Sequence, residues 1–175
     1  KLYMTPLNYS GIVEVESIID GRIINFYDAP RFKVKHTYMT ANEKLAEDGG
    51  YVEVATREKH LHVGCGCRIE AYCDGKQILG NRMTSVFGEQ NIEFGDIHVE
   101  EGKEVQIVKY VSMYSERECP TYELHSTIKK EIEGFVHTGF ENELKLHEEV
   151  YHNMWENADI KITGDDDLNR AVRFN

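Results

Sequence analysis

Residues 59–73 read KHLHVGCGCRIEAYC, and this stretch decides the fold because its side chains alternate in character. The odd positions from Leu61 to Cys73 carry aliphatic residues and cysteines, whereas the even positions carry histidine, glycine, charged residues and one tyrosine. Successive side chains leave opposite faces of an extended strand. The stretch therefore predicts a β-strand with the cysteines on the core face and the histidines on the other face.

The same stretch contains two histidines and two thiols, which together make a ligand set for tetrahedral zinc. Strand alternation sends His60 and His62 to one face and Cys65 and Cys67 to the other, so one metal ion cannot collect both pairs. Cys65 and Cys67 also lie about 7 Å apart along the strand, which is unsuited to a disulfide between them. We expect buried free cysteines, with a site built on the histidines alone as the alternative.

The composition favours one domain with appendages. The chain has 175 residues, of which 41% are hydrophobic, and its net charge is −11. Because this charge opposes binding to polyanions, we expect no nucleic acid and no membrane partner, and no apolar run approaches the roughly 18 residues of a membrane span. Three of the four cysteines share one predicted strand face instead of forming a disulfide framework, so we expect a cytoplasmic protein.

Up to about residue 115 the chain reads as strands separated by turns. Asp74-Gly75 is a two-residue hairpin signal that returns the chain through residues 76–79. The stretch before Glu47-Asp48-Gly49-Gly50 is expected to be irregular or helical. Further strands are predicted at 13–19, 22–27, 51–56, 91–94, 97–100 and 104–114. This order predicts an antiparallel β-sandwich over residues 1–118.

After Cys119-Pro120 the hydrophobic period changes from two to 3.6, which indicates helices. The first predicted helix ends at Gly139 and has the apolar stripe Leu124, Ile128, Ile132, Phe135 and Val136. The second has the stripe Phe140, Leu144, His147, Tyr151, Met154 and Trp155, so we expect Trp155 to pack against other helices. We interpret residues 119–158 as linker helices. A third helix, capped by Thr163 or Asp165, is cut at Asn175.

No pattern of residues points to a catalytic centre within the chain. Its glycines fit neither a phosphate-binding loop nor the dinucleotide fingerprint, and the nucleophile signature G-x-S-x-G is absent. The carboxylates of the second helix fit a solvated face, and Asp165 to Asp167 fit the first turn of a helix. We therefore predict no catalytic, cofactor-binding or metal-binding residue in this sequence.

Longer motifs lie at the two ends of the chain. The segment HNMWENADIKITGDDDLNRAVRFN at 152–175 resembles the entry to the helical barrel of glycoside hydrolase family 65, the maltose, trehalose and kojibiose phosphorylases. Asn169 departs from the glutamine usual in that family. The segment MTPLNYSGIVEVESIIDG at 4–21 is similar to a strand and turn of the same family. The matching positions of the first motif are Trp155, Asp159, Ile160, Ile162, Gly164, Asp165, Ala171, Arg173, Phe174 and Asn175.

The resemblance implies a fragment of a larger enzyme. Residues 1–118 would be the C-terminal part of a super-sandwich, and residues 159–175 would start an (α/α)6 barrel. The parent enzyme would cleave an α-glucosidic disaccharide with inversion, using inorganic phosphate as co-substrate and no cofactor, to give β-glucose 1-phosphate. The family also contains hydrolases, so hydrolysis is the alternative reaction of the parent enzyme. Its general acid and phosphate pocket would lie beyond Asn175, which leaves this fragment non-catalytic. The expected partners are its own missing catalytic barrel, the disaccharide, and a second copy in a homodimer.

Two alternative functions are compatible with the sequence. A free-standing carbohydrate-binding module suits the sandwich, although such modules usually present an aromatic platform and the only tryptophan here is on a predicted helix. A small metalloenzyme would require His60 and His62 to find a further ligand across the sheet.

We expect the purified chain to contain no stoichiometric zinc, because Cys65 and Cys67 face the core, away from His60 and His62. Metal analysis of protein purified without chelators measures this directly. Equimolar zinc that disappears in the variant Cys65→Ser would refute the alternation argument.

Overall fold

A computed structural model describes residues 1–22, 24 and 35–174, of which residue 174 is described by its backbone only. The chain forms two compact units, residues 1–137 and residues 138–175, and each is described by itself. The strand predicted at 22–27 falls largely outside the described residues.

The first unit consists mainly of antiparallel strands. One sheet has the strand order β1-β9-β5-β4-β3, with β6 paired to the end of β5, and the other has the order β2-β8-β7. This arrangement confirms the predicted antiparallel sandwich followed by helices. The described strands are β1 Leu2–Met4, β2 Gly11–Asp20, β3 Thr37–Lys44, β4 Gly50–Thr56, β5 His62–Cys73, β6 Lys76–Gln77, β7 Leu79–Phe87, β8 Gln90–Val99 and β9 Val105–Ser115.

The hairpin between β5 and β6 is the one that the sequence predicts. Asp74 and Gly75 have φ angles of 49° and 74°, and two successive positive values are what a two-residue type I′ turn requires. The turn pairs Cys73 with Lys76 and returns the chain along β5.

The core between the sheets is built from the odd-numbered residues of β5. Ile69 and Ala71 pack with residues of β7, β8 and β9, namely Leu79, Ile97, Val99 and Val105. Cys67 is buried on the same face, where its Sγ lies 3.4 Å from the hydroxyl of Ser17 on β2. The predicted core face is thus confirmed for Cys67, Ile69 and Ala71, whereas Cys65 and Cys73 are only partly buried.

The even-numbered face of β5 is covered as well, by helix α1 (Leu124–Thr138), which follows a 3₁₀ turn at Thr121–Glu123. Gly64 and Gly66 make this contact close. A Cβ on Gly66 would lie 2.5 Å from Cγ2 of Ile128, and one on Gly64 would lie 3.0 Å from Cδ1 of the same residue. The buried residues of the helix are Leu124, Ile128 and Ile132, so the predicted apolar stripe is its packing face. The glycines therefore mark a close approach of the helix.

A polar contact at Glu131 also holds the same helix against the sheet. Glu131 of α1 accepts a hydrogen bond from the hydroxyl of Tyr114 at 3.0 Å and another from the hydroxyl of Ser112, both on β9. Ser112 lies opposite Gly66 and Tyr114 lies opposite Gly64 in the ladder, so these donors stand on the face that the glycines leave open.

Between the ends of β4 and β6, side chains make hydrogen bonds to the backbone of β5 in place of a neighbouring strand. β4 pairs with β5 only as far as Cys67, and β6 pairs with it only from Tyr72. Between them the N–H of Ile69 donates to the Glu93 carboxylate at 3.0 Å, and the Arg82 guanidinium donates to the Ile69 carbonyl at 2.8 Å. Arg82 also donates to Glu93 at 2.9 Å, so the two side chains together satisfy backbone groups that a strand would otherwise pair.

The expectation of an irregular or helical stretch before Glu47 is wrong. Thr37–Lys44 forms β3, which pairs with β4 at every residue except Thr40. Its register shifts between Met39 and Ala41, and a bulge of this kind breaks the strict alternation by which a strand is recognised in sequence.

The two strands predicted at 91–94 and 97–100 are one strand, β8. Gly95 continues its ladder opposite Val15 of β2. A Cβ on Gly95 would lie 2.4 Å from Cδ1 of Leu79, so this glycine makes room for a core side chain and does not end the strand.

The second unit contains helices α2 (Phe140–Ala158) and α3 (Asp166–Phe174). The N–H of Leu168 donates to the Asp165 carboxylate at 2.9 Å, so Asp165 is the N-cap of α3. None of the residues of α2 is buried. Across the described residues, no helix is long and apolar enough to cross a membrane.

We expect Gly66→Ala to lower the free energy of unfolding by about 1–3 kcal/mol, because the new methyl group meets Ile128 and forces the helix contact apart. Urea unfolding followed by circular dichroism measures the change.

Gly134→Ala on α1 is the matched control. A Cβ there meets nothing within 4 Å, so the variant should gain roughly 0.5–1 kcal/mol from the reduced flexibility of the unfolded chain. Equal stability of Gly66→Ala and the wild type would contradict the close packing of α1 on β5.

Candidate functional site

The two histidines of the stretch 59–73 have separate environments. β5 begins at His62, whereas His60 lies in the turn before it with a φ of 54°. A ring nitrogen of His60 is 3.1 Å from the hydroxyl of Tyr38, and Nδ1 of His62 is 2.7 Å from Oε1 of Glu53. The reading that placed both histidines on one strand face is wrong for His60, because the strand starts after the turn.

Glu53 on β4 is the centre of a polar cluster beside His62. Its carboxylate accepts hydrogen bonds from the hydroxyls of Thr40 at 2.8 Å and Tyr51 at 2.7 Å. Burial alone would raise its pKa, but the hydrogen bonds from His62, Tyr51 and Thr40 outweigh burial and hold the pKa of Glu53 below its ordinary value. A carboxylate already engaged by three partners is a poor general base, so we interpret this cluster as structural.

Tyr51 connects that cluster to helix α1. Its ring stands edge-on to the ring of His125, with the centroids 4.7 Å apart, and Nε2 of His125 donates to the carbonyl of Lys44 at 3.1 Å. Burial, followed by the neighbouring Glu53 carboxylate, raises the pKa of Tyr51 far above its ordinary value. The phenol therefore stays protonated and serves as a donor to Glu53.

The cysteine thiols have no features of a reactive or metal-binding site. All four are free, and burial raises the pKa of Cys65 and of Cys67. The thiolate is the nucleophile and metal ligand, so a raised pKa disfavours both roles. Over residues 1–22, 24 and 35–174, no three histidine, cysteine, aspartate or glutamate residues are grouped as metal binding would require.

An apolar groove of about 370 Å³ lies in the first unit, between the end of β2 and the strands β4, β5 and β9. Cys65, Val111 and Met113 line it, and Val111 and Met113 are exposed. The Lys109 ammonium donates to the carbonyl of Ile18 at 3.2 Å at its border. Its described lining contains no carboxylate other than that of Asp20, so the groove is suited to contact and not to acid–base chemistry.

A second cavity, of about 470 Å³, lies within residues 138–175. Arg173 of α3 reaches back to Asp159, with Nε to Oδ1 at 2.8 Å and Nη2 to Oδ2 at 2.5 Å. These hydrogen bonds hold the pKa of Asp159 below its ordinary value. The indole of Trp155 is half exposed, although the sequence predicts that it packs against helices. The cavity is lined by His152, Trp155, Glu156, Asp159, Lys161 and Arg173.

Sequence reasoning missed the partner of His62. Tyr51 and Glu53 sit at alternate positions of the stretch YVEVAT, which places them on one face of β4. Which face meets His62 depends on the pairing of Glu53 with Gly64, and no local signal in the sequence gives that register.

The variant Glu53→Gln tests the cluster. At pH 7 we expect it to lose about 2 kcal/mol of stability, because hydrogen bonds to a charged acceptor are removed. The lowered pKa stabilises the fold above the ordinary carboxyl value of 4.5, and this contribution is lost as the pH falls through the folded-state value. The difference in thermal stability between wild type and variant should therefore narrow from pH 7 to pH 3. Glu14→Gln, which makes the same replacement at an exposed position of β2, is the matched control, and a constant difference for Glu53→Gln would contradict the assignment.

Comparison with known proteins places the chain in a family. Residues 1–154 match the family model described as glycosyl hydrolase family 65, N-terminal domain. The whole chain is 37% identical to a kojibiose phosphorylase of Thermoanaerobacter brockii and covers 23% of its length. Over 98% of the chain it is 26% identical to an α,α-trehalose phosphorylase of the same organism, of which it covers 22%. The chain thus spans less than a quarter of these relatives, and it belongs to glycosyl hydrolase family 65 through the N-terminal domain of that family.

Proposed function

We propose that this chain is the non-catalytic N-terminal and linker part of a longer disaccharide phosphorylase. The observation that carries the proposal is the coverage in the comparison with the kojibiose phosphorylase of Thermoanaerobacter brockii. All of this chain aligns with that relative, yet the alignment takes up only 23% of the relative's length. Most of such an enzyme therefore lies in residues that this chain does not contain.

The state of the carboxylates supports a non-catalytic role. Glu70 and Glu93 are buried and bound by Arg82, and Glu53 is held by three partners. The glutamates of α2 lie on a helix that has no buried residue. An inverting enzyme needs a carboxylic acid that reaches the glycosidic oxygen in a cleft open to the substrate. Glu70 and Glu93 are enclosed within the fold, and the glutamates of α2 do not lie in a shielded site.

In the parent enzyme the reaction would be phosphorolysis of an α-glucosidic disaccharide. The bond between C1 of glucose and the glycosidic oxygen breaks, and an oxygen of inorganic phosphate forms the new bond to C1 from the opposite face. The general acid gives its proton to the leaving sugar oxygen, so the products are β-glucose 1-phosphate and a free sugar. Phosphate is the co-substrate, and the reaction requires no cofactor.

The role of this part would be to support the catalytic barrel. Both units have exposed apolar side chains, among them Val111 and Met113 in the first and Leu168 and Val172 in the second. Exposed apolar surface of this kind favours contact with other protein. The proposal includes a homodimer of the parent enzyme and a cytoplasmic location, which agrees with four free cysteines.

We expect the longer enzyme to convert kojibiose, trehalose or maltose to β-glucose 1-phosphate only in the presence of phosphate. The 175-residue chain should give no turnover with the same sugars, with or without phosphate, because the proposal assigns the acid and the phosphate pocket to the part of the enzyme outside these 175 residues. Coupled detection of glucose 1-phosphate measures the reaction, and free glucose is measured in parallel. Turnover by the purified chain alone would refute the non-catalytic assignment, and glucose release by the longer enzyme without phosphate would indicate a hydrolase instead.

A further inference from the structure

We propose that the cavity of the second unit, the one lined by Trp155 and Arg173, binds an α-linked glucose disaccharide. The choice of sugar class rests on the proposed function, whereas the existence of a binding site rests on the cavity itself. At about 470 Å³ the cavity lies within the range of small-molecule sites, and its lining combines an aromatic ring with a few convergent polar groups.

Helix α2 brings the first three lining residues together. His152, Trp155 and Glu156 are spaced by three and four residues, so they share one face of the helix. The helix ends when the N–H of Asp159 donates to the carbonyl of Trp155 at 2.8 Å, and the chain then continues in an extended conformation. Asp159, at this change of direction, therefore lines the same cavity as Trp155.

The Asp159–Arg173 pair gives the cavity a rigid polar wall. Two hydrogen bonds join the planar guanidinium to the carboxylate, and such a fork holds both side chains in one orientation. Sugar hydroxyls both donate and accept, so they pair well with planar groups that are fixed before the ligand arrives. The indole of Trp155 offers an apolar face for the C–H groups of a pyranose ring.

The charge balance of the lining favours a neutral ligand. Lys161 and Arg173 are cationic, Glu156 and Asp159 are anionic, and with His152 neutral the formal charges cancel. Unlike a phosphate site, this lining has no excess of cations, and unlike a cation site it has no excess of carboxylates. A neutral molecule with many hydroxyl groups is therefore the class of ligand that the lining accommodates best.

The chain has a built-in probe for this proposal, since Trp155 is its only tryptophan. Titration of the 175-residue chain with kojibiose, trehalose and maltose should give a saturable change in tryptophan emission with at least one of them. Mannitol, an acyclic polyol without a ring face, should give none at the same concentrations.

The matched variants are Arg173→Lys and Arg170→Lys. The first keeps the charge but loses the fork to Asp159, so we expect the apparent Kd to rise at least tenfold. The second makes the same replacement on α3 at an exposed position outside the lining, and it should leave the Kd unchanged. Far-UV circular dichroism of both variants verifies that the helices are retained.

Absence of a saturable response to all three sugars, or an unchanged Kd in Arg173→Lys with intact helices, would overturn the proposal. Its failure is distinguishable from failure of the proposed function. A longer enzyme that phosphorolyses a disaccharide while the chain shows no emission response would refute only the cavity site. A saturable response of the chain beside a longer enzyme inactive on every α-glucoside would refute only the proposed function.

Discussion

The structure of the first unit depends on the burial of β5 on both faces. On one face its odd-numbered residues meet the second sheet, and on the other Gly64 and Gly66 let α1 approach the backbone. A strand covered on one face only would have tolerated side chains at those glycines. The two missing side chains therefore let a single strand serve both a sheet–sheet core and a sheet–helix core.

Because β5 is covered on both faces, charged side chains beside it are largely buried. Two guanidinium groups, Arg68 and Arg82, meet three carboxylates, Asp48, Glu70 and Glu93, between the sheets and the β3–β4 loop. Burial raises the pKa of Glu93 even beside Arg82, whereas for Glu70 the effect of burial is outweighed by Arg82, Gln77 and Arg68 and the pKa is lowered. Removing one partner would leave a buried charge unpaired, which is strongly destabilising, although the complete network adds little net stability. We therefore interpret the network as fixing the position of β5 against its neighbours.

How far sequence predicts this fold can be seen in particular residues. Alternation predicts the core face that Cys67, Ile69 and Ala71 form, and the 3.6 period predicts the packing stripe of α1, because both signals are local. Strand β3 was missed because its bulge breaks the alternation. The contacts of His62 with Glu53 and of Ile69 with Glu93 depend on which strands are neighbours and in which register. Such pairings join residues far apart in the sequence, and no local periodicity encodes them.

The second unit gives a physical meaning to the motif that carried the family resemblance. Trp155, Asp159 and Arg173 are motif positions that the sequence separates, and the structure gathers them around one cavity. Arg173 reaches Asp159 because α3, started by the Asp165 cap, turns the chain back toward the end of α2. The spacing of the motif therefore matches the two hydrogen bonds between Arg173 and Asp159. Helix α2 ends just before Asp159, Asp165 caps α3, and Arg173 lies two turns into α3. A lysine at position 173 could keep the charge but could not make both hydrogen bonds in one plane, so the motif specifies arginine for its shape.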